Sequence, residues 1–250
     1  RLLSNDSFNN KLCEKMRLFI SGSAPLLAET HIDFEKRTGH KILERYGMTE
    51  TNMSTSNPYE AERRAGTVGF PLPGIEVKIT DPKTENELPR GEIGNLEVRG
   101  PNVFVGYWNM PEKTKEELRE DGFFITGDLG LMDEDGYVQI IGRDKDLIIS
   151  GGFNIYPKEL ELLLDEQEGV IESAVIGVPH PDFGETPLGI LVREKSAEPK
   201  IDKIEKIIKS QLARYKHPKR FIVIDELPRN TMGKVQKNLL RDQYRDTFLW

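Results

Sequence analysis

Cysteine is almost absent. Of 250 residues only Cys13 carries a thiol, which excludes an internal disulfide and any thiolate metal cluster. Cys13 itself reads as a small core or surface residue. Histidine is nearly as scarce: the four present, His31, His40, His180 and His217, are scattered without ligand spacing, so no structural metal is expected. No apolar run approaches the roughly 20 residues that span a membrane, and no membrane partner is expected. Signal-peptide pattern, internal repeats and low-complexity tracts are lacking as well. Positive charge is not in excess: 35 Lys and Arg stand against 42 Asp and Glu, a formal net charge of −7, which argues against a nucleic-acid partner. What remains is 37% hydrophobic residues, enough for packed cores in one large or two ordinary domains.

The order of the patterns predicts how the chain is organised. Leu18 to Ser21 reads as a short buried strand entering a Gly22-Ser23-Ala24-Pro25 turn, followed by helical spacing from about Leu27 to Arg37 and a stop at Gly39. Lys41 to Arg45 reads as the next strand, giving an α/β layer. From Gly66 to Gly142 the texture is β-rich. Alternating runs at Ile75–Ile79, Asn95–Arg99 and Tyr137–Ile141 are separated by Gly, Pro and Asp turns, Asp135-Gly136 signals a hairpin, and one helix runs from Pro111 to Glu120. A boundary is expected around Arg143–Asp146. Beyond it lie a strand at Leu147–Ser150, a helix at Pro157–Glu166, strands at Ser173–Val178 and Gly189–Arg193, and a helix at Ile201–Leu212. A strand at Arg220–Asp225 and a helix at Val235–Phe248 follow. Together these make a small α+β unit.

Five segments carry candidate chemistry. Ser21-Gly22-Ser23-Ala24-Pro25 offers small residues and free N–H groups for a flat or anionic ligand, or is a plain turn. Glu44-Arg45-Tyr46-Gly47-Met48-Thr49-Glu50-Thr51 places an aromatic ring beside a glycine, with a hydroxyl and a carboxylate suited to a phosphate oxygen and Mg²⁺; a capped strand end is the alternative. Thr126-Gly127-Asp128, with Gly142-Arg143 after it, pairs a carboxylate able to take ribose hydroxyls with a guanidinium, although Asp in a turn is commonly a turn former. Ser150-Gly151-Gly152-Phe153 ends a strand before a helix and offers bare backbone to an extended thiol, or is a βα turn using glycine for φ > 0. Gly233-Lys234, between a strand-like and a helix-like run, places a mobile cation on a loop, or is a solvated surface lysine.

Taken in this order, and with the block Gly91-Glu92 through Gly106-Tyr107-Trp108-Asn109 to Pro111-Glu112, the segments resemble the adenylate-forming superfamily of acyl-CoA synthetases, luciferases and adenylation domains. The resemblance covers about Leu18 to Tyr244. Within it, Leu43 to Met53, Asn57-Pro58-Tyr59, Arg64 to Gly69, Pro228 to Lys237 and Asn238 to Arg241 look like the malonyl-CoA synthetases. The implied fold is the α/β and β-rich remainder of the large AMP-binding domain over residues 1–144, followed by a small mobile α+β domain over 145–250. The implied reaction joins an acid to a thiol in two halves. Malonate, with methylmalonate left open, attacks MgATP to give an acyl-adenylate and pyrophosphate, and CoA then displaces AMP.

The resemblance also implies roles. Tyr46 stacks on adenine, with Glu44, Arg45 and Gly47 in the same motif, while Gly22, Ser23 and Ala24 line the adenine and acyl pockets. Thr49 holds the α-phosphate and Glu50 binds Mg²⁺. Asp128 takes the ribose hydroxyls and Arg143 assists at ribose or phosphate. Lys145 is the hinge, Lys234 bridges carboxylate and α-phosphate, and Gly151-Gly152-Phe153 lines the pantetheine channel. Arg45 is either the cation for the second carboxylate of a diacid or part of a salt bridge with Glu44 or Glu50. Lys234 resembles a site of reversible acetylation, which would remove its charge.

The Ser/Thr/Gly-rich phosphate loop of the superfamily does not occur in the chain, so a fragment of a longer enzyme, weakly active or inactive by itself, is expected. A different acyl-CoA synthetase, a carrier-loading adenylation enzyme and a non-catalytic nucleotide-binding module are the alternatives. The default location is cytoplasmic, with a mitochondrial one left open.

Overall fold

A computed structural model gives the fold and describes residues 2–3, 5, 7–22, 26–194, 197–231 and 233–249. The expectations for Ser23 and Ala24 lie outside the described residues. The chain divides into two compact units, residues 1–141 and 142–250.

In the first unit, α1 (Asn10–Cys13) and α2 (Ala28–Thr38) cover a small aromatic core. The helical spacing of α2 buries His31, Phe34 and Thr38. It ends at Gly39, whose φ of 76° lets its N–H donate to the Glu35 carbonyl at 2.8 Å. Phe34 packs with Phe8, Cys13 and Ile42, and meets Phe19 edge-on at 4.9 Å, which settles Cys13 as a core residue.

The expected buried strand Leu18–Ser21 shrinks to β1 (Ile20–Ser21), and its Ile20 is half exposed. The next strand, β2 (Leu43–Met48), starts later than the pattern at Lys41–Arg45 suggested and runs through the Glu44–Met48 motif. With β3 (Asn52–Ser56) and β4 (Phe70–Pro71) it forms a sheet of order β1-β2-β3-β4, parallel at β1/β2 and antiparallel beyond.

A second sheet, β5-β6-β7-β8, is built from β5 (Glu76–Thr80), β6 (Gly94–Arg99), β7 (Phe124–Met132) and β8 (Val138–Arg143). Ile79, Leu96, Val98 and Val138 form its core. The Asp135-Gly136 hairpin is present, with Gly136 at φ 91° and the Asp133 N–H donating to the Tyr137 carbonyl at 2.9 Å. The helix expected to reach Glu120 stops earlier, as α3 (Pro111–Glu117). Alternation along β6 places Glu97 opposite Leu96 and Val98, yet Glu97 is fully buried too. Arg119 covers it with two 2.8 Å hydrogen bonds, and Thr80 donates to it at 2.7 Å.

The second unit is an α+β fold around β12 (Gly184–Arg193), which pairs antiparallel with β11 (Val170–His180) and parallel with β13 (Arg220–Ile224). Both long strands exceed the expected Ser173–Val178 and Gly189–Arg193, because Pro179 and Pro187 interrupt the apolar pattern without breaking the ladder. Their near-continuous hydrophobicity follows from cover on both faces. Val175 and Leu191 pack under α4 (Pro157–Asp165) and α5 (Ile201–Gln211). Ala174, Ile176, Leu188, Ile190 and Val192 pack with Leu227 and with Leu240 of α6 (Lys237–Tyr244). That last helix is shorter than the expected Val235–Phe248.

One connection differs in kind. Gly151-Gly152 does not lead from a strand to a helix. It joins β9 (Ile148–Ser150) to β10 (Phe153–Ile155) as an antiparallel hairpin in which Ser150 faces Phe153. Both glycines have positive φ, 56° and 86°, the signature of a type I′ turn.

Candidate functional site

In the first unit the candidate residues gather around β2. Gly22 follows β1 and lies against Arg45: a Cβ there would be 3.7 Å from the Arg45 Cγ. Glu44 points the other way into the interior and accepts a 3.0 Å hydrogen bond from Nδ1 of His31, with both groups nearly fully buried. Burial pushes the Glu44 carboxyl above the ordinary carboxylate range, and the bond and charge of His31 offset only part of that rise. The salt bridges considered for Arg45 with Glu44 or Glu50 are not formed. Arg45 is exposed and has no ion pair among the described residues.

Tyr46 packs its ring against the core of the second sheet and donates its hydroxyl to Oδ2 of Asp128 at 2.5 Å. Asp128 is not a turn former: it lies within β7, 5% exposed. Gly127, at φ 70°, and a register shift against β6 bulge the strand here. Thr126 bridges the defect by donating to the Leu96 carbonyl at 2.8 Å and accepting from the Asp128 N–H at 3.1 Å. A bulge of this kind re-aims one side chain out of the pleat.

Thr49 and Glu50 occupy the tip of the β2–β3 hairpin, between Met48 and its partner Asn52. The hairpin closes tightly because Gly47 carries no side chain: a Cβ would fall 1.8 Å from the Asn52 carbonyl oxygen. The tip is held from outside the hairpin. Asn102 Nδ2 donates to the Thr51 carbonyl at 2.6 Å, and the Phe104 N–H donates to the Glu50 carbonyl at 2.8 Å. The Tyr107 hydroxyl lies 3.2 Å from Glu50 Oε1 and 2.5 Å from Glu117 Oε2. Burial and the two carboxylates push the Tyr107 phenol well above its usual range. Burial alone would raise the Glu117 carboxyl, but hydrogen bonds from Lys113 and Tyr107 outweigh it and hold Glu117 low. Local sequence pattern gives no sign of Asn102, Tyr107 and Glu117 as supporting residues. The Gly106-Tyr107-Trp108-Asn109 block was visible, but no spacing rule connects it to a carboxylate 57 positions away.

The residues present fit a nucleotide with Mg²⁺. Among the described residues no cluster of three or more His, Cys, Asp or Glu side chains could hold a metal without help. Mg²⁺ bound through one carboxylate and substrate phosphates needs no such cluster, and Glu50 beside Thr49 supplies that carboxylate.

The second unit places the remaining candidates. Arg143 ends β8, and Lys145 is exposed on a short 3₁₀ turn, Asp144–Asp146. Lys234 is exposed on a loop closed by an Arg229–Val235 bridge. Its N–H donates to Asn230 Oδ1 at 2.9 Å, Arg229 donates to the Gly233 carbonyl at 2.6 Å, and Arg229 also pairs with Glu172. Three residues on, Lys237 forms a 2.5 Å ion pair with Glu161, which also accepts from the Val175 N–H at 2.9 Å. The lysine loop is therefore braced on both sides, while Lys234 itself has no ion pair among the described residues.

Phe153, after the paired glycines, stacks on Tyr215 at 4.6 Å and 23°. Lys219 lies over the Phe183 ring at 4.9 Å, and Phe183 accepts the Gly151 N–H on its carbonyl at 2.9 Å. Tyr215, Phe183 and Lys219 were not singled out from the sequence. Tyr215 and Lys219 lie four positions apart and Phe183 in a separate segment, and only the fold brings them to Phe153 and the Gly151 backbone.

Residues 1–108 match the family described as AMP-binding enzyme, and residues 159–234 match the AMP-binding enzyme C-terminal domain. The chain belongs to the AMP-binding enzymes. Among their curated members, the malonate–CoA ligase of Arabidopsis thaliana is 42% identical over 91% of this chain and 38% of its own length. A long-chain-fatty-acid–CoA ligase of Yersinia pestis is 37% identical over 97% of this chain and 43% of its own. ATP-bound MatB from Rhodopseudomonas palustris superimposes with a TM-score of 0.94 at 59% identity, over 99% of this chain and 49% of that one. The chain thus spans less than half the length of these AMP-binding relatives. The mixed α/β and β-rich architecture expected from the sequence is the architecture of this family.

Proposed function

We propose that this chain is part of an ATP-dependent acid–CoA ligase that forms an acyl-adenylate and then a thioester, with malonate as the acid. The observation that supports it best is the convergence of Tyr46, Asp128, Thr49 and Glu50 on β2, its hairpin tip and the adjoining bulge of β7. An aromatic ring tied to a carboxylate is suited to a nucleoside, with the ring for the base and Asp128 for ribose hydroxyls. A hydroxyl and a carboxylate at the hairpin tip suit the phosphates. Mg²⁺, when bound through Glu50, supplies charge neutralisation.

In this reading Thr49 orients the α-phosphate, and the substrate carboxylate attacks the phosphorus with pyrophosphate leaving. Such a transfer depends mainly on positioning and charge. Lys234 supplies the cation for this half-reaction, and its acetylation would block it. Arg143 assists at ribose or phosphate, and Lys145 serves as the pivot between half-reactions. The Gly151–Gly152 turn and Phe153 receive the pantetheine arm, while Tyr215, Phe183 and Lys219 suit the nucleotide end of CoA by stacking and charge.

The choice of malonate rests on the sequence resemblance, on the Arabidopsis relative named for malonate, and on Arg45. An exposed guanidinium without an ion pair among the described residues, beside Gly22, is suited to a second carboxylate. Pyrophosphate release by the full-length protein, assayed with malonate, methylmalonate, succinate, acetate and a long-chain fatty acid, tests the reading. Preference for malonate, with a raised KM in Arg45→Ala for malonate but not acetate, supports it. Preference for a monocarboxylate rejects malonate and the anchoring role of Arg45 together.

A further inference from the structure

We infer that Tyr107 is a positioning residue for the Glu50 carboxylate, and that the Lys113–Glu117 pair governs how firmly it holds. The inference rests on the nucleotide-activation reading of Glu50 and names what fixes that side chain.

Glu50 sits on a hairpin tip, where a side chain is ordinarily mobile. Tyr107 does not share that freedom. Its N–H donates to Thr114 Oγ1 at 2.9 Å, and its ring meets Phe104 edge-on at 4.8 Å. The preceding Gly106, at φ 139°, fits against Thr114, where a Cβ would lie 2.8 Å from Cγ2. The phenol is therefore a fixed post. It touches Glu50 through Oε1 only, at 3.2 Å, and Oε2 of Glu50 accepts no hydrogen bond among the described residues. One oxygen anchored and one open is the arrangement of a carboxylate ready to bind a cation through a single oxygen.

The phenol has one proton and two carboxylate neighbours. The hydroxyl lies within hydrogen-bond reach of both, 3.2 Å from Glu50 and 2.5 Å from Glu117, so the two carboxylates compete for it, and Lys113 binds the other Glu117 oxygen at 2.6 Å. Lys113 thus neutralises Glu117 and limits its hold on the phenolic proton. Substituting Glu117 by the neutral amide weakens the competitor and leaves the proton available to Glu50.

Calorimetric titration of the full-length protein with ATP, in Mg²⁺ and in EDTA, tests this. AMP in EDTA serves as the control for an intact site. Tyr107→Phe is expected to reduce the Mg²⁺-dependent gain in ATP affinity about tenfold, the scale of a hydrogen bond to a charged group, with AMP binding unchanged. Glu117→Gln is expected to keep the gain, whereas general damage to this region would remove it in both variants. A full gain in Tyr107→Phe, alongside its loss in Glu50→Gln, overturns the positioning role and leaves the nucleotide reading standing. No Mg²⁺-dependent gain in the wild-type protein overturns both.

Discussion

The Tyr46 hydroxyl donates a 2.5 Å hydrogen bond to Oδ2 of Asp128, tying β2 to the bulge of β7 across 82 positions of sequence. A carboxylate has about four acceptor sites, and this bond fixes the orientation of Asp128 through one of them. Tyr46→Phe keeps the ring and removes the tether. AMP binding to the full-length protein should weaken by about 0.5–1.5 kcal/mol, because Asp128 keeps its charge and loses only its orientation. Asp128→Ala should cost more, about 1.5–3 kcal/mol, because a charged acceptor is lost. Identical affinities for wild type and Tyr46→Phe would mean that Asp128 needs no orientation from Tyr46.

Lys234 is braced at Arg229 and Lys237 but makes no ion pair of its own among the described residues, as expected of a group that acts on a substrate. Lys234→Gln, which mimics the acetylated side chain, should slow adenylate formation by ~10²–10³-fold, the scale for one electrostatic donor. Thermal stability should be unchanged. Pyrophosphate release and a melting curve measure the two, and normal release by the variant would return Lys234 to the solvated surface.

The Glu97–Arg119 pair is the clearest buried charge interaction in the first unit, with Glu97 fully inaccessible. Lys78 also lies 3.4 Å from Glu97 and remains as a cation when Arg119 is removed, so Arg119→Ala loses the two guanidinium hydrogen bonds and should destabilise the unit by about 1.5–3 kcal/mol. The outer partner of the same guanidinium, Glu85, has its side chain 62% exposed, and Glu85→Ala should cost no more than about 1 kcal/mol. Urea unfolding of both variants checks the contrast. Equal losses would show that the inner pair is worth no more than the outer one.

Burial raises the Asp165 carboxyl above its ordinary range, with Glu161 adding to the rise and the Ser173 hydrogen bond and Lys158 opposing it. A group whose folded pKa is raised stabilises the fold fully below its unfolded pKa, and that contribution is lost as pH climbs through the folded value. Asp165→Asn keeps the acceptor for the 2.7 Å bond from Ser173 but does not titrate. Its melting temperature should therefore gain on the wild type as pH rises from below 3.8, the unperturbed value, to neutrality. A constant difference across that range would rule out the shift.

Periodicity made much of the scaffold readable. Helical spacing from about Leu27 to Arg37 with the stop at Gly39 gave α2, alternation gave β5 and β6, and Pro157 marked the start of α4. Reading failed where tertiary cover overrode local pattern. Glu97 sits on a face that alternation assigns to water, and its burial is explained by Arg119, 22 positions away, together with Lys78 and Thr80 on the neighbouring strand. β10 has three residues and a proline soon after it, too little pattern to announce a strand, so the turn before it looked like a helix approach.

The candidate site divides the same way. Tyr46, Thr49, Glu50 and Asp128 were readable as residue types in recognisable blocks. The Tyr46–Asp128 bond and the Asn102, Phe104 and Tyr107 supports were not, because each joins blocks that sequence treats as independent.

The Gly151–Gly152 turn has a consequence at the level of the gene. A side chain would meet no obstacle there beyond an ordinary 3.4 Å contact with Phe183 at the first glycine, so space does not constrain these positions. Backbone dihedral does: at φ 56° and 86° most residues strain by roughly 1–2 kcal/mol each, while asparagine is tolerated comparatively well. Single-base changes in a glycine codon reach alanine, valine, serine, cysteine, arginine, tryptophan, aspartate or glutamate, but never asparagine. Among these only aspartate tolerates a left-handed backbone. Random drift therefore meets a penalty at both positions with almost every first step, and a library that samples this turn reaches aspartate by single-base changes but needs double-base changes to include asparagine.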